Sequence, residues 1–260
     1  MLIKITNIIK TWQLSIKDSY DWWRRIKKVK KCPDNNYFRH VHNAGAVLKN
    51  IQVMHNGIKI YTKSYYGKGM MQLLKANRGV HEPQEEKIFD QVLRKMENGS
   101  VILELGSYWS FYSMWFLKTI KNGSAYLIEP NRENLNYGKI NFELNQLQGD
   151  FTHGIIGEHS NECNIPIITV DNFLHMKKIS HLNILHADIQ GSELEMLHGS
   201  KNSLKNKKID YLFVSTHSES LHIKCQNFIE SFNYSTIASI QPKDSFSVDG
   251  ILVMQRVLSA

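Results

Sequence analysis

The chain has 260 residues, 42% of them hydrophobic and 10% aromatic, which supports a sizeable core and argues against a disordered or fibrous protein. Its formal net charge is +8, yet residues 1–31 hold nine Lys/Arg against two acids, so the remainder is close to neutral. That distribution argues against a nucleic-acid-binding face spread over the main domain. No apolar run reaches the roughly 18 residues that a transmembrane helix needs. The first residues lack the apolar h-region and small-residue cleavage site of a signal peptide. Cys32, Cys163 and Cys225 are odd in number and far apart, with no Cys-x-x-Cys, so neither a disulfide framework nor a zinc ribbon is indicated. The expected compartment is a reducing cytoplasm.

In chain order, apolar residues first recur at three- or four-residue steps over 3–31: Ile5, Ile8, Ile9, Trp12, Ile16, Tyr20, Trp23 and Ile26. This spacing predicts a helix. Its far end, from Trp22 to Lys31, is basic and aromatic. Two readings stay open. The helix lies on anionic lipid, a peripheral membrane contact, or it packs its stripe on the domain or on a second subunit, as in a homodimer. Pro33 and the Asp34, Asn35, Asn36 cluster end it. Ile51 to Met54 and Ile58 to Thr62 flank His55-Asn-Gly57, a strong hairpin signal. Pro83 then opens a helix with acids in its first turn. From residue 101, strand patterns at 101–105, 125–129, 151–156, 183–188, 210–216 and 250–255 alternate with helical stretches at 111–121, 132–145, 193–204 and 221–232. Alternation of this kind predicts an α/β fold, a Rossmann-like, doubly wound, mostly parallel sheet with helices on both faces. The expected division is an N-terminal helix and hairpin over 1–78 and the main domain over 79–260.

The first strand ends in Glu104-Leu-Gly106 and the second in Glu129. A backbone turn followed by a carboxylate for ribose hydroxyls is how such a sheet holds an adenosine. A dinucleotide fold would place glycines at 106, 108 and 111, whereas Tyr108 and Phe111 occupy two of those places. Bulky side chains there block a pyrophosphate but not a nucleoside lacking phosphates. S-adenosylmethionine is such a nucleoside, and Glu104 suits its cationic methionine part. A helix-facing capping acid is the alternative for Glu104, and a plain turn is the alternative for Glu129.

Four segments then resemble a known family. They are Glu104 through Ser113, Glu129-Pro-Asn-Arg-Glu-Asn134 running on to Asn145, Ile168 through Leu174, and Leu185-His-Ala-Asp-Ile-Gln-Gly-Ser-Glu193 through Ser200. In this order and spacing they resemble FkbM-type class I S-adenosylmethionine-dependent methyltransferases, over about residues 80–255. Tyr108 and Ser110 stand where that family has Asn and Gly, and Gln190 where it has Glu. The resemblance implies a seven-stranded Rossmann-like sheet and O-methylation, often of sugars in surface glycans or natural products. It implies cofactor binding by Glu104, Gly106, Ser107, Glu129, Asn131 and Asp188.

Asp188 and His217 should meet at the carboxyl ends of neighbouring strands, where ligands sit in doubly wound sheets. Three roles stay open for them. His217 is a general base for a sugar hydroxyl, the two are ligands of a divalent metal with help from Asp249 or Glu219, or they are a capping Asp and a structural His. Tyr108, Tyr112 and Gln190 are the candidate contacts to a sugar or glycan acceptor. His81 and Gln84 could close over the cofactor or simply belong to a capped surface helix. The remaining histidines form no metal-binding spacing and read as surface or core. An RNA methyltransferase and a non-catalytic scaffold are the alternatives to a sugar O-methyltransferase; no nucleic-acid partner is expected.

Overall fold

The computed structural model describes residues 19–257. The predicted first helix therefore lies partly outside the described residues; over 19–30 it is helical and is called α1. Trp22, Arg25, Ile26 and Val29 form its inner stripe, while Tyr20 and Trp23 are exposed. The sequence stripe through Tyr20 and Trp23 is thus displaced by about one position, so that Trp22 and Val29 face inward instead.

Three short antiparallel strands follow, β1 (Val47–Leu48), β2 (Ile51–Val53) and β3 (Lys59–Tyr61). The predicted Asn-Gly turn joins the last two. Helices α2 (Gly69–Ala76) and α3 (Pro83–Leu93) lead into the main sheet. Its parallel part alternates as expected: β4 (Val101–Leu105), α4 (Phe111–Thr119), β5 (Ser124–Glu129), α5 (Arg132–Leu144) and β6 (Asp150–His153). A two-stranded pair, β7 (Ile155–Ile156) with β8 (Ile167–Ile168), and α6 (Val170–Met176) precede β9 (Leu182–Ala187). Then come α7 (Glu193–His198), α8 (Lys201–Lys205), β10 (Ile209–Thr216), α9 (Glu219–Glu230), β11 (Tyr234–Ile240) and β12 (Gly250–Arg256).

The seven main strands lie in the order β11-β12-β10-β9-β4-β5-β6. All run in one direction except β12, which is antiparallel to both neighbours. Strands β4, β9 and β10 are almost continuously buried, being covered on both faces. Alternate residues feed two cores. Ile102, Ile184, Phe213 and Val253 meet α3, α4 and the hairpin, sharing one cluster with Met54, Ile60, Phe89 and Phe111. Leu103, Leu185, Leu212 and Leu252 meet α6 to α9.

The strand order reverses between β4 and β9, and register sets what meets there. Leu105 pairs with Ala187, Val214 pairs with Ala187, and Thr216 pairs with Gly250. The residues just beyond β4, β9 and β10, and just before β12, are therefore neighbours. These are Gly106, Asp188, His217 and Asp249.

Candidate functional site

The turn after β4 is built on close backbone approach. Gly106 has φ +68°, and a Cβ there would stand 2.0 Å from the Asp188 carbonyl oxygen. The Gly106 and Ser107 N–H groups donate to the Ile128 carbonyl at 3.0 and 3.2 Å, tying the turn to the end of β5. Tyr108 and Ser110 also hold positive φ, 44° and 65°. These are the two positions where the sequence departs from Asn and Gly, residues that adopt this conformation with less strain. The buried hydroxyls of Ser107 and Ser110 have no hydrogen-bond partner. Orphaned buried polar atoms around one turn are what a polar ligand would satisfy.

Glu104 is buried and accepts the Ser113 N–H at 3.0 Å. Burial pushes its carboxyl above the usual range, against the opposing pull of His186 and the Ser113 bonds. One oxygen thus serves α4, as the capping alternative foresaw. A cationic ligand beside it would favour its ionised form. Glu129 receives the Tyr108 and Asn131 N–H groups at 2.9 Å each, one on each oxygen. Asn131 caps α5 through its side chain, accepting from Glu133 and Asn134. Above Glu129, Tyr66 and Tyr108 stack with centroids 4.9 Å apart, and the Asn134 amide donates to the Tyr66 hydroxyl at 2.6 Å.

At the ends of β9 and β10, Asp188 and His217 do meet. His217 Nε2 lies 3.3 Å from Asp188 Oδ1 and 3.4 Å from Asp249 Oδ1, and Nδ1 lies 3.2 Å from Glu193 Oε1. Asp188, Glu193 and His217 can each offer a ligand atom within 4.8 Å of the others. Both ring nitrogens of His217 and Glu193 Oε2 are buried without a well-formed hydrogen bond. Burial pulls the His217 imidazole down, but Asp188, Glu193 and Asp249 outweigh it and raise it to about 10. Asp249 is pushed up to about 7 by burial and the Asp188 charge, against the pull of His217. Gln190, at φ 57°, donates to Asp188 Oδ1 at 2.9 Å.

Of the other expected residues, Tyr112 turns inward. Its ring packs on His186 with centroids 4.1 Å apart, and its hydroxyl donates to Glu82 at 3.0 Å. Asp249 joins the cluster, whereas Glu219 pairs with Lys243 at 3.8 Å. Glu193 fulfils its capping role, accepting from Ile189 and Gly191, and also touches His217, which the sequence did not reveal. His81 is not on a surface helix; it is buried between Glu82 at 3.3 Å and Glu86 at 2.7 Å. His55 reaches the other oxygen of Glu86 at 3.1 Å, and His186 reaches Glu85 at 2.8 Å. Gln84 receives the Phe246 N–H at 2.7 Å and so ties α3 to the loop before β12.

A family model described as the methyltransferase FkbM domain matches residues 141–236, a segment containing Asp188, Glu193 and His217. Over that segment the chain is similar to FkbM methyltransferase domains. Its seven-stranded, mostly parallel sheet is Rossmann-like. The tRNA (uracil-54, C5)-methyltransferase of Pyrococcus abyssi, solved with S-adenosyl-L-homocysteine, is similar with TM-score 0.50 at 10% identity, over 80% of this chain and 44% of that one. M. capricolum TrmK, solved with the same cofactor product, gives TM-score 0.45 at 18% identity, over 65% and 67% of the two chains. The precorrin-6y C5,15-methyltransferase of Geobacter metallireducens gives 0.46 at 10% identity, over 66% and 88%. No curated protein matches the chain. Among its described residues, no helix is long and apolar enough to cross a membrane.

Proposed function

We propose that this chain transfers the methyl group of S-adenosylmethionine to a hydroxyl of a sugar, in a nucleotide sugar or a surface-glycan precursor. The observation that carries the reading is the His217 cluster beside the donor turn, because the Gly106 turn and Asp188 touch through their backbones. Glu129 and Asn131 serve the ribose, the Gly106–Ser107 turn supports the nucleoside, and Glu104 with Asp188 faces the cationic methionine part. Tyr108 and Gln190 border the acceptor, and Tyr112 backs it from below. Methyl transfer is an in-line displacement, so positioning the hydroxyl against the sulfonium supplies much of the acceleration.

The hydroxyl must also lose its proton. With a pKa of about 10, His217 is already a cation at neutral pH and is not free to accept one. A cation among Asp188, Glu193 and Asp249 is also what a divalent metal would provide, and this favours the metal role over the base role. Asp188, Glu193 and, once the ion displaces its proton, His217 would hold the ion, with Asp249 beside them. A bound divalent ion acidifies an oxygen nucleophile. The oxygen and imidazole donor set suits such ions.

Calorimetric titration with S-adenosylhomocysteine, with NAD as control, tests the donor. Heat with the first and none with NAD is expected; the reverse rejects the reading. For the metal, Mn²⁺ should raise the melting temperature of the native chain and leave Asp188→Asn unmoved. Equal behaviour of the two proteins rejects the metal. For the acceptor, S-adenosylmethionine should be converted to S-adenosylhomocysteine on incubation with nucleotide sugars and not with tRNA. Conversion with tRNA alone replaces the sugar by RNA.

A further inference from the structure

The basic N-terminal helix is not only a surface feature. It packs on Gly69 at the start of α2 and on the loop before β12. The Trp22 ring rests on Gly69 so tightly that a Cβ there would stand 2.1 Å from it. Lys28 Nζ donates to the Ser247 carbonyl at 3.3 Å, and the Asn35 amide donates to the Val29 carbonyl at 2.8 Å. Ser247 lies on the same loop as Asp249, so α1 is fastened to the acceptor side of the sheet.

Between these anchors lies Arg25. Its guanidinium stands 5.0 Å from the centroid of the Trp22 ring. Its Nε is buried and has no hydrogen-bond partner. Among the described residues it forms no ion pair, although acids surround the site. Its charge acts on Tyr108 at the donor turn, on Glu82 at the start of α3 and on Asp249 in the carboxylate cluster. Arg25 is therefore within electrostatic reach of both the donor turn and the carboxylate cluster, with no ion pair to either among the described residues. A buried guanidinium nitrogen without a partner is costly. The guanidinium fork matches a carboxylate or phosphate in two parallel hydrogen bonds. The carboxylates around it would otherwise repel any anion entering the site.

We infer that Arg25 is the anion-binding residue of this site and takes a carboxylate or phosphate of a bound substrate through its guanidinium fork. The inference rests on the methyltransferase reading. Two sources carry that chemistry. One is the methionine carboxylate of the donor. The other is a phosphate on the acceptor, as in a sugar phosphate or a nucleotide sugar.

Titration of the full chain separates them. S-adenosylhomocysteine and methylthioadenosine share the nucleoside, but only the first carries the amino-acid carboxylate. If the donor is the source, Arg25→Gln weakens S-adenosylhomocysteine by about tenfold or more and leaves methylthioadenosine unchanged. If the acceptor is the source, the protein loaded with S-adenosylhomocysteine binds inorganic pyrophosphate, and Arg25→Gln loses that binding by a similar factor. Arg25→Lys, which keeps the charge without the fork, should recover only part of either loss. The inference is overturned if Arg25→Gln matches the native chain with all three probes. It is equally overturned if the variant weakens both nucleosides alike, which marks a structural role. A native chain that binds neither nucleoside instead rejects the methyltransferase reading and the inference with it.

Discussion

The backbone of Gly106 and the carbonyl of Asp188 are in direct van der Waals contact, so the donor turn and the acceptor cluster share one crossing point. A Cβ at 106 would approach the Asp188 oxygen to 2.0 Å, and φ is +68°. Because a backbone atom cannot swing aside as a side chain does, Gly106→Ala must move β4 away from β9 or unwind the turn. Left-handed strain on alanine costs about 1–2 kcal/mol and overpacking about 1–3 kcal/mol. Urea unfolding should show a loss of that order, and calorimetry should show no S-adenosylhomocysteine binding. Unaltered binding in Gly106→Ala would mean that the nucleoside does not sit on this turn.

Glu129 accepts two backbone N–H groups, one on each oxygen, and a glutamine can accept on only one. Glu129→Gln should therefore release either Tyr108 or Asn131 and misplace the turn under the ribose. Hydrogen bonds to a charged group are worth about 1.5–3 kcal/mol. The dissociation constant for S-adenosylhomocysteine should rise roughly tenfold to a hundredfold. An unchanged constant with a folded protein would remove Glu129 from the donor site.

His81 gives the fold a pH dependence of defined sign. Burial lowers its pKa, but Glu82 and Glu86 outweigh burial and raise it to about 10, above the ordinary histidine value of 6.5. A raised folded pKa gives stability that is complete below pH 6.5 and lost as pH rises through about 10. The urea midpoint of the native chain should accordingly fall between those limits. His217 contributes in the same window, so His81→Gln should flatten the slope rather than abolish it. A variant with the same slope as the native chain would show that His81 is neutral in the folded state.

The elements legible in the sequence were those in which pattern and burial coincide. Val101 to Leu105 is a parallel strand buried from Ile102 onward and reads as an apolar run interrupted only by Glu104. The edge strand Tyr234–Ile240 is not legible, since only Tyr234 is buried and its register shifts between Thr236 and Ala238. Asp188 and His217 could be paired because both end adjacent parallel strands. Glu193 was legible only as a cap; that the same oxygen also touches His217 is a three-dimensional fact. The Glu82, Glu85, Glu86, His55, His81 and His186 network was hidden for a similar reason. Its acids sit in the first turn of α3, where they read as partners of the helix dipole, yet Glu85 and Glu86 are buried. Arg25 was one of nine basic residues near the N-terminus, and only its packing against Trp22 sets it apart.

Asn141 joins the hairpin to the donor turn. Fully buried on α5, it accepts the Tyr61 N–H at 2.8 Å and donates to the Trp109 carbonyl at 3.0 Å. Asn141→Leu fills similar volume but leaves the Tyr61 N–H and the Trp109 carbonyl without partners. Each unsatisfied buried group costs about 1–3 kcal/mol, so a loss of about 2–6 kcal/mol is expected in denaturant unfolding. Trp109 lies between Tyr108 and Ser110, the two positive-φ residues of the turn. The variant should therefore weaken S-adenosylhomocysteine as well as the fold, even at temperatures where it remains native by circular dichroism. Loss of stability with full affinity would show that the turn holds its shape without the hairpin, and that β3 supports the fold alone.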